Sequence, residues 1–195
     1  MLTSQLTLSL PNWVNDFVQA RGERFPALEA RMQLAIDLAR ENVTRSMGGP
    51  FGAAIFERDT GRLVAVGVNG VVSQNCLAAH AELMALMLAQ QKLRTFDLGA
   101  ASFPAHELVT SAQMCAMCYG ATCWAGVRRV VIGATARDTE ELTGFDEGPI
   151  PTDWEAQLER RGIVVVQGVL REQAREVLQL YGETGGVIYN GRSGA

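Results

Sequence analysis

His80, in Ala79-His80-Ala81-Glu82, and the pair in Cys115-Ala116-Met117-Cys118 supply one imidazole and two thiols. These are donors that Zn²⁺ favours, and three of them leave a fourth tetrahedral position open for water, as in a catalytic rather than a structural centre. Neither motif holds a metal alone, so the fold must bring the two together. Ala79 to Leu93 (AHAELMALMLAQQKL) reads as a helix with His80 and Glu82 in its first turn. Residues two apart do not share a helix face, yet residues of a first turn can splay around an object off the helix end. Cys115 to Trp124 reads as a second helix opening on two cysteines three apart, on one face. Two helix N-termini aimed at one ion favour thiolates. The two helices are therefore expected side by side on one face of the fold.

Each motif alone has a plainer meaning. A lone His-x-Glu is common. C-x-x-C also serves as a redox pair or as half of a structural zinc site, which would want a fourth ligand. Cys76, Cys123 and His106 are the other candidates, and Cys76 lies four residues before His80. The catalytic reading is preferred, because Glu82 then has a role in handling protons. Cys76 and Cys123 are read as ordinary small side chains, and His106 as structural or exposed.

The whole chain sets bounds on partners. Its 195 residues fit one domain with a good core, and 48% apolar against 19% charged residues describes a folded globule. No apolar run reaches membrane-spanning length, and the start lacks the order of a signal peptide. Four cysteines with a C-x-x-C fit a reducing cytoplasm better than a disulfide framework. A net charge of −4 with Lys92 as the sole lysine argues against a nucleic-acid partner.

Along the chain, residues 1–25 are weakly patterned and expected as an outer N-terminal extension. Pro26 to Ser46 reads as a helix, ended by Met47-Gly48-Gly49-Pro50. Phe51 to Arg58 and Leu63 to Asn69 read as a hairpin, with Val71 to Leu77 a loop. Strands are expected over Ala105 to Thr110, Val127 to Ala134 and Ile163 to Val169, with helices over Thr152 to Arg161 and Leu170 to Tyr181. A hairpin followed by alternating strands and helices implies an α/β fold with a mixed sheet and helices on both faces. Residues 185–195 contain Gly185-Gly186-Val187-Ile188-Tyr189-Asn190-Gly191, too apolar for an ordinary frayed tail and expected to dock.

This order of elements, with His80, Glu82, Cys115 and Cys118 so placed, resembles the cytidine deaminase-like superfamily, whose signature is H-x-E followed by P-C-x-x-C. Gly48-Gly49-Pro50-Phe51-Gly52-Ala53, Thr95-Phe96-Asp97-Leu98, Gly144-Phe145-Asp146-Glu147-Gly148 and Val187-Ile188-Tyr189-Asn190 are similar to its guanine deaminase branch. The resemblance covers residues 26–195, a single catalytic domain with the tail 185–195 as a cap. It implies a three-layer αβα sandwich around a mixed sheet of about five strands. One departure stands out: Gln113-Met114 occupy the positions where family members usually carry Glu-Pro. Proline fixes its own φ and lacks an N–H, so Met114 restores a donor and loosens the approach to Cys115.

The reaction implied is hydrolytic removal of an exocyclic amine from a free aminated nucleobase, with one zinc per chain and no organic cofactor. Glu82 is the general base and then the proton donor to a ring nitrogen. Glu147, in a glycine-flanked loop, is the second proton carrier, with Asp146 the competing candidate. Asn69 resembles the asparagine that holds the base and reads equally as the turn residue of Asn69-Gly70. Phe51, Ala81, Asp146 and Tyr189 are the further substrate contacts expected, although Phe51 reads as readily as core. Trp124 is expected to pack beneath the site. Guanine to xanthine leads the readings. Guanosine, cytidine or an aminotriazine such as ammeline follow, then a tRNA adenosine deaminase, disfavoured by the acidic balance, and last a non-catalytic zinc-binding interaction protein. Similar proteins are dimers, which makes a homodimer the expectation.

Overall fold

Hydrophobic residues alternate between the two faces of a central sheet, and helices cover both. A computed structural model describes residues 3–191 of the chain, so residues 192–195 of the expected tail lie outside the described residues. In chain order the elements are α1 (Trp13–Gln19), α2 (Leu28–Thr44), β1 (Gly52–Glu57), β2 (Leu63–Val68), α3 (Val71–Gln74), α4 (Ala81–Leu93) and β3 (His106–Ala112). They continue as α5 (Ala116–Ala125), β4 (Arg129–Ala134), α6 (Ala136–Thr143), α7 (Trp154–Glu159), β5 (Val164–Val166) and α8 (Arg171–Glu183). The sheet order is β2-β1-β3-β4-β5. β1 pairs antiparallel with β2 and β3, while β3, β4 and β5 run parallel.

Along β1 the side chains divide cleanly. Ala54 and Phe56 enter a cluster with Met32 and Ile36 of α2 and Val177 of α8. Ala53 and Ile55 enter the opposite cluster with Ala85 of α4, Cys118 of α5 and Leu158 of α7. The two metal-motif helices thus share one face of the sheet, as their spacing requires. This is the expected αβα sandwich with a mixed five-stranded sheet. At the sheet end far from the motifs, Arg31 of α2 donates to the carbonyls of Phe25 at 2.7 Å and Arg58 at 2.8 Å and pairs with buried Glu107 of β3. Arg129 completes that pair from β4, so Glu107 is buried with both its oxygens engaged.

Several elements differ from the pattern read along the sequence. The segment 1–25 holds α1, whose Val14 is 1% exposed against the α2 side of the core. Gly70-Val71 begins a single helical turn, α3, rather than open loop. The polar stretch after β4 forms α6: Thr135 and Asp138 make a reciprocal capping box, and Asp138 also pairs with Arg171 and Arg175 of α8. The expected strand Ile163 to Val169 shrinks to Val164–Val166, since Gly168 and Leu170 both take positive φ and turn the chain into α8. Trp124 does not pack under the site and is 82% exposed. Cys118, Thr122 and Ala125 form the buried side of α5, and Trp124 projects from the other.

Gly67 decides how closely α4 lies on the sheet. A Cβ there would stand 1.9 Å from the Ala81 carbonyl oxygen and 2.7 Å from the Ala85 nitrogen, both helix backbone. Only glycine admits that approach. Gly67→Ala should therefore push the first turn of α4 off β2. We expect a loss of about 1–3 kcal/mol or more, the range for overpacked cores, together with weaker zinc retention. Thermal unfolding and metal content measured on the same sample check it; a wild-type melting temperature would mean that α4 has slack at this crossing.

Candidate metal centre and active site

The site forms at the carboxyl ends of the strands, where open α/β sheets bind ligands. Asn69 directly follows β2, Gln113 and Met114 carry the chain from β3 to Cys115, and β4 leads through α6 to the loop 144–148. His80 and Cys115 occupy equivalent places. Each is the extended residue before its helix, with φ −72° and ψ 150° for His80 and φ −68° and ψ 172° for Cys115. Cys118 follows in the first turn of α5.

This placement brings three donor atoms together. The His80 Nδ1 lies 3.5 Å from the Cys115 Sγ and 3.6 Å from the Cys118 Sγ. Zinc bonds of about 2.0 Å to nitrogen and 2.3 Å to sulfur, opened to the tetrahedral angle, put nitrogen and sulfur about 3.5 Å apart. The donors thus already stand along the edges of a zinc tetrahedron. Among the described residues they are the group of His, Cys, Asp and Glu side chains gathered closely enough to hold an ion. Cys76 and Cys123 are half-buried free thiols outside it. His106 is fully buried, its Nδ1 2.7 Å from the Leu98 carbonyl, and serves the fold.

The electrostatics follow from this crowding. A hydrogen bond from Cys118, working against burial, lowers the Cys115 thiol to about 4, with His80 assisting. Cys118 moves the opposite way, raised first by its hydrogen bond to Cys115 and then by burial. Burial and the neighbouring Cys115 charge raise Glu82 to about 7 and Glu147 to about 9. A bound cation opposes both carboxyl shifts, because opposite charge favours the ionised form.

A cavity of about 320 Å³ opens over the three donors. His80, Cys115, Glu82 and Glu147 line it together with Phe51, Phe145 and Tyr189. Glu82 and Glu147 are each 6% exposed. Asp146, by contrast, is an exposed residue of the rim whose carboxylate accepts the Gly148 N–H at 2.8 Å. Ala81, the first residue of α4, is fully buried and its methyl packs into the sheet-side cluster, outside the cavity lining. Asn69 is 1% exposed, its Oδ1 accepting from the Gly49 N–H at 3.2 Å while its Nδ2 donates to the Tyr189 hydroxyl at 2.6 Å. Tyr189 crosses the cavity edge with its ring 6.0 Å from His80 and 4.7 Å from Phe145. Phe51 stands 5.4 Å from Phe145. Asn190 and Gln113 also border the cavity and were not singled out as site residues from sequence; a polar residue beside Tyr189 in an apolar tail was the available signal for Asn190.

Residues 26–134 match the cytidine and deoxycytidylate deaminase zinc-binding region. The chain belongs to this deaminase family. It is 35% identical over 144 residues to the guanine deaminase of Bacillus subtilis, covering 74% of this chain and 87% of that protein. The solved guanine deaminase of Nitrosomonas europaea superposes with a TM-score of 0.86 at 48% identity, over 94% of this chain and 99% of that one. A structure in complex with 2,6-diaminopurine superposes at 0.87 with 50% identity, over 96% and 98% of the two chains. The deaminase is a zinc-dependent aminohydrolase, and His80, Cys115 and Cys118 have the geometry of its metal centre.

Purified deaminase should carry one zinc per chain. Cys115→Ala should lose most of it, because two donors remain of three, while the circular dichroism of the sheet and helices persists. Elemental analysis beside the spectrum checks this, and undiminished zinc in the variant would place the metal elsewhere.

Proposed function

We propose that this deaminase hydrolyses guanine to xanthine and ammonia. The observation that carries the reading is the small cavity over the zinc donors, with two carboxyls in its wall and the tail across its edge. Its volume is at the lower end for ligand sites, about 300–1,000 Å³, which suits a free base better than a nucleoside. Tyr189, Asn190 and Gly191 border the direction in which a ribose would extend. The guanine deaminase relatives agree with this choice over cytidine or an aminotriazine.

Residue roles follow from position. Zinc, when bound, activates a water for attack near neutral pH. Glu82 takes a proton from that water and returns it to the ring nitrogen beside the carbon under attack. Glu147, across the cavity, protonates the leaving amine. Glu82, ionised again after its first transfer, takes the hydroxyl proton as the C–N bond breaks and the C=O forms. Ammonia departs, and that proton returns to Glu147 through solvent before the next turnover. Division of the two transfers between two carboxyls suits a reaction that must serve a ring nitrogen and an amine in one turnover. Asn69 and Tyr189 orient the base edge, and Phe51 walls its face. Asp146 offers a carboxylate at the cavity rim, and Ala81, whose methyl is buried, offers only its backbone at the start of α4. Residues 26–195 act as one catalytic unit with the tail as its lid, α1 packs on its α2 side, and excluding water strengthens each charge interaction within.

The active form we propose is a homodimer. α5 has no charged residue, and Met117, Gly120, Ala121 and Trp124 recur along it at helical spacing. The stripe is exposed at Trp124, and a Cβ on Gly120 would meet nothing within 4 Å. Small residues between two large ones form a self-complementary surface, which suits a two-fold contact with a second copy. No helix among the described residues is long and apolar enough to cross a membrane. We read the enzyme as cytoplasmic, a reading supported by thiols that must stay reduced to hold the metal.

Two experiments test these readings. Glu82→Gln and Glu147→Gln should each retain zinc and fold and lose roughly 10²–10⁴-fold in guanine turnover, the scale of general acid–base catalysis. Ammonia release measured across guanine, guanosine, cytidine and ammeline ranks the substrates; wild-type turnover in either variant removes that residue from the mechanism. Separately, Trp124→Glu should convert a dimer to a monomer in light scattering. A wild-type monomer at micromolar concentration would refute the proposed dimer.

A further inference from the structure

Asn190 grips the loop that carries Glu147 by its backbone. Its Oδ1 accepts the Asp146 N–H at 2.9 Å and its Nδ2 donates to the Gly144 carbonyl at 2.9 Å. One side-chain amide thus satisfies the two backbone groups on either side of Phe145, as a neighbouring strand would. The next residue along the loop is Glu147, whose own carbonyl accepts the Ala116 N–H at 2.9 Å, from the first residue of α5. Asp146 closes the turn on itself through Gly148. Beyond the end of α6 the loop backbone is therefore held at three places, by the metal helix, by its own turn and by the tail, while the Phe145 ring is buried against Phe51, Tyr181 and Tyr189.

These three attachments are not equivalent. The α5 contact belongs to the helix that bears Cys118, and the turn is internal. The tail contact comes from a segment without regular structure beyond α8, and Gly144 and Gly148 bracket the loop with φ of +81° and +74°. Both glycines occupy the left-handed region, where other side chains resist the backbone. With the Phe145 ring seated in the core, the Asn190 amide sets the backbone path on either side of that ring and so the direction in which Glu147 leaves it.

We propose that Asn190 is a positioning residue for deamination: its paired hydrogen bonds to Gly144 and Asp146 hold the loop with Glu147 turned into the cavity. It rests on the reading of Glu147 as proton carrier. The side-chain type is informative. An aspartate could accept from Asp146 N–H, yet it could not donate to the Gly144 carbonyl, and it would add negative charge beside Asp146 and Glu147. A glutamine is one methylene too long for both bonds at once.

The zinc-loaded full chain tests it with guanine as substrate. Asn190→Ala removes the two hydrogen bonds that hold the loop, and kcat should fall at least roughly tenfold. Zinc content and melting temperature should stay near wild type. Asn190→Asp should resemble Asn190→Ala more than the wild type. In the Glu147→Gln background Asn190→Ala should cost nothing further, the non-additivity expected of residues acting through one another. Hydrogen exchange gives a readout apart from activity: the Asp146 amide should lose protection in Asn190→Ala while the Ala116 amide keeps it. If Glu147→Gln is inactive and Asn190→Ala turns over at the wild-type rate, the positioning role is refuted and the Glu147 reading stands. Wild-type turnover in Glu147→Gln overturns both. An equal loss from Asn190→Ala in both backgrounds assigns Asn190 to base binding or folding, and refutes the proposal.

Discussion

Thiolates in a protein interior need a source of positive potential, and in this chain two helix N-termini provide it at one point. His80 and Cys115 each stand one residue before a helix, and Cys118 sits within the first turn of the second. Helices that begin side by side present their unpaired N–H groups in the same direction. The rest of the architecture serves this convergence. Parallel β3 delivers Cys115 at its carboxyl end, and the absent side chain at Gly67 lets α4 settle on β2 until its first turn reaches the same level. The opposed shifts of the two cysteines show how tense the donor set is by itself, one thiol driven down to about 4 and its neighbour driven up. A divalent cation takes both sulfurs as thiolates and removes the competition.

Much of this was legible in sequence because it is local. The ligand residues, the two helices that carry them, and the hairpin before them are set by spacing and period, and each was read within a residue or two of its observed bounds. What escaped depends on contacts between distant segments. α6 is short and polar on its face, and its one local signal was Thr135 followed by Asp138, a capping box with aspartate in place of the usual glutamate. The rest of its support comes from Arg171 and Arg175, far along the chain. α1 is held by burial of Val14 against α2, which no pattern within residues 1–25 reveals. Trp124 was misread because helical period tells which residues share a face and not which face turns inward. Asn69 reads equally as turn and as ligand in sequence, because its partners lie far apart: its side chain bridges Gly49 on one side and Tyr189 on the other.

The cavity wall draws on distant places in the chain, among them Phe51, Glu82, Cys115, the loop around Glu147 and the tail at Tyr189. The first three are anchored in or beside the sheet and the helices on it. The last two are loops, and each is held by the other. Tyr189 packs on Phe145 and bonds Asn69, while Asn190 bonds the backbone flanking Phe145. A rigid metal centre with a mutually supporting pair of loops over it separates two demands. Zinc ligation needs donors fixed to fractions of an ångström, whereas substrate entry needs a wall that yields. The division follows burial, with Cys118 fully enclosed and Val187 of the tail 58% exposed.

The replacement of the usual Glu-Pro by Gln113-Met114 shows how the approach to the metal survives a change of chemistry. Proline would set the backbone before Cys115 by its ring. Met114 instead is 1% exposed, and its sulfur lies 3.2 Å from the Thr122 hydroxyl, which also donates to the Cys118 carbonyl at 2.8 Å. Packing and one shared hydroxyl thereby tie the residue before the first cysteine to the second cysteine. Gln113 keeps the function an acidic side chain could have at this place. Its N–H bonds the Ala134 carbonyl at 2.9 Å, continuing the ladder with β4, and its Oε1 accepts the Ala136 N–H at 3.1 Å, at the start of α6. A carboxylate would accept the same bond with a full charge at the helix N-terminus. The neutral amide gives up that charge, and it also avoids a further carboxylate on a cavity already lined by Glu82, Asp146 and Glu147. The two glutamates are each 6% exposed, and a charge added at 113 would push both carboxyls further up, as burial and the Cys115 charge already do.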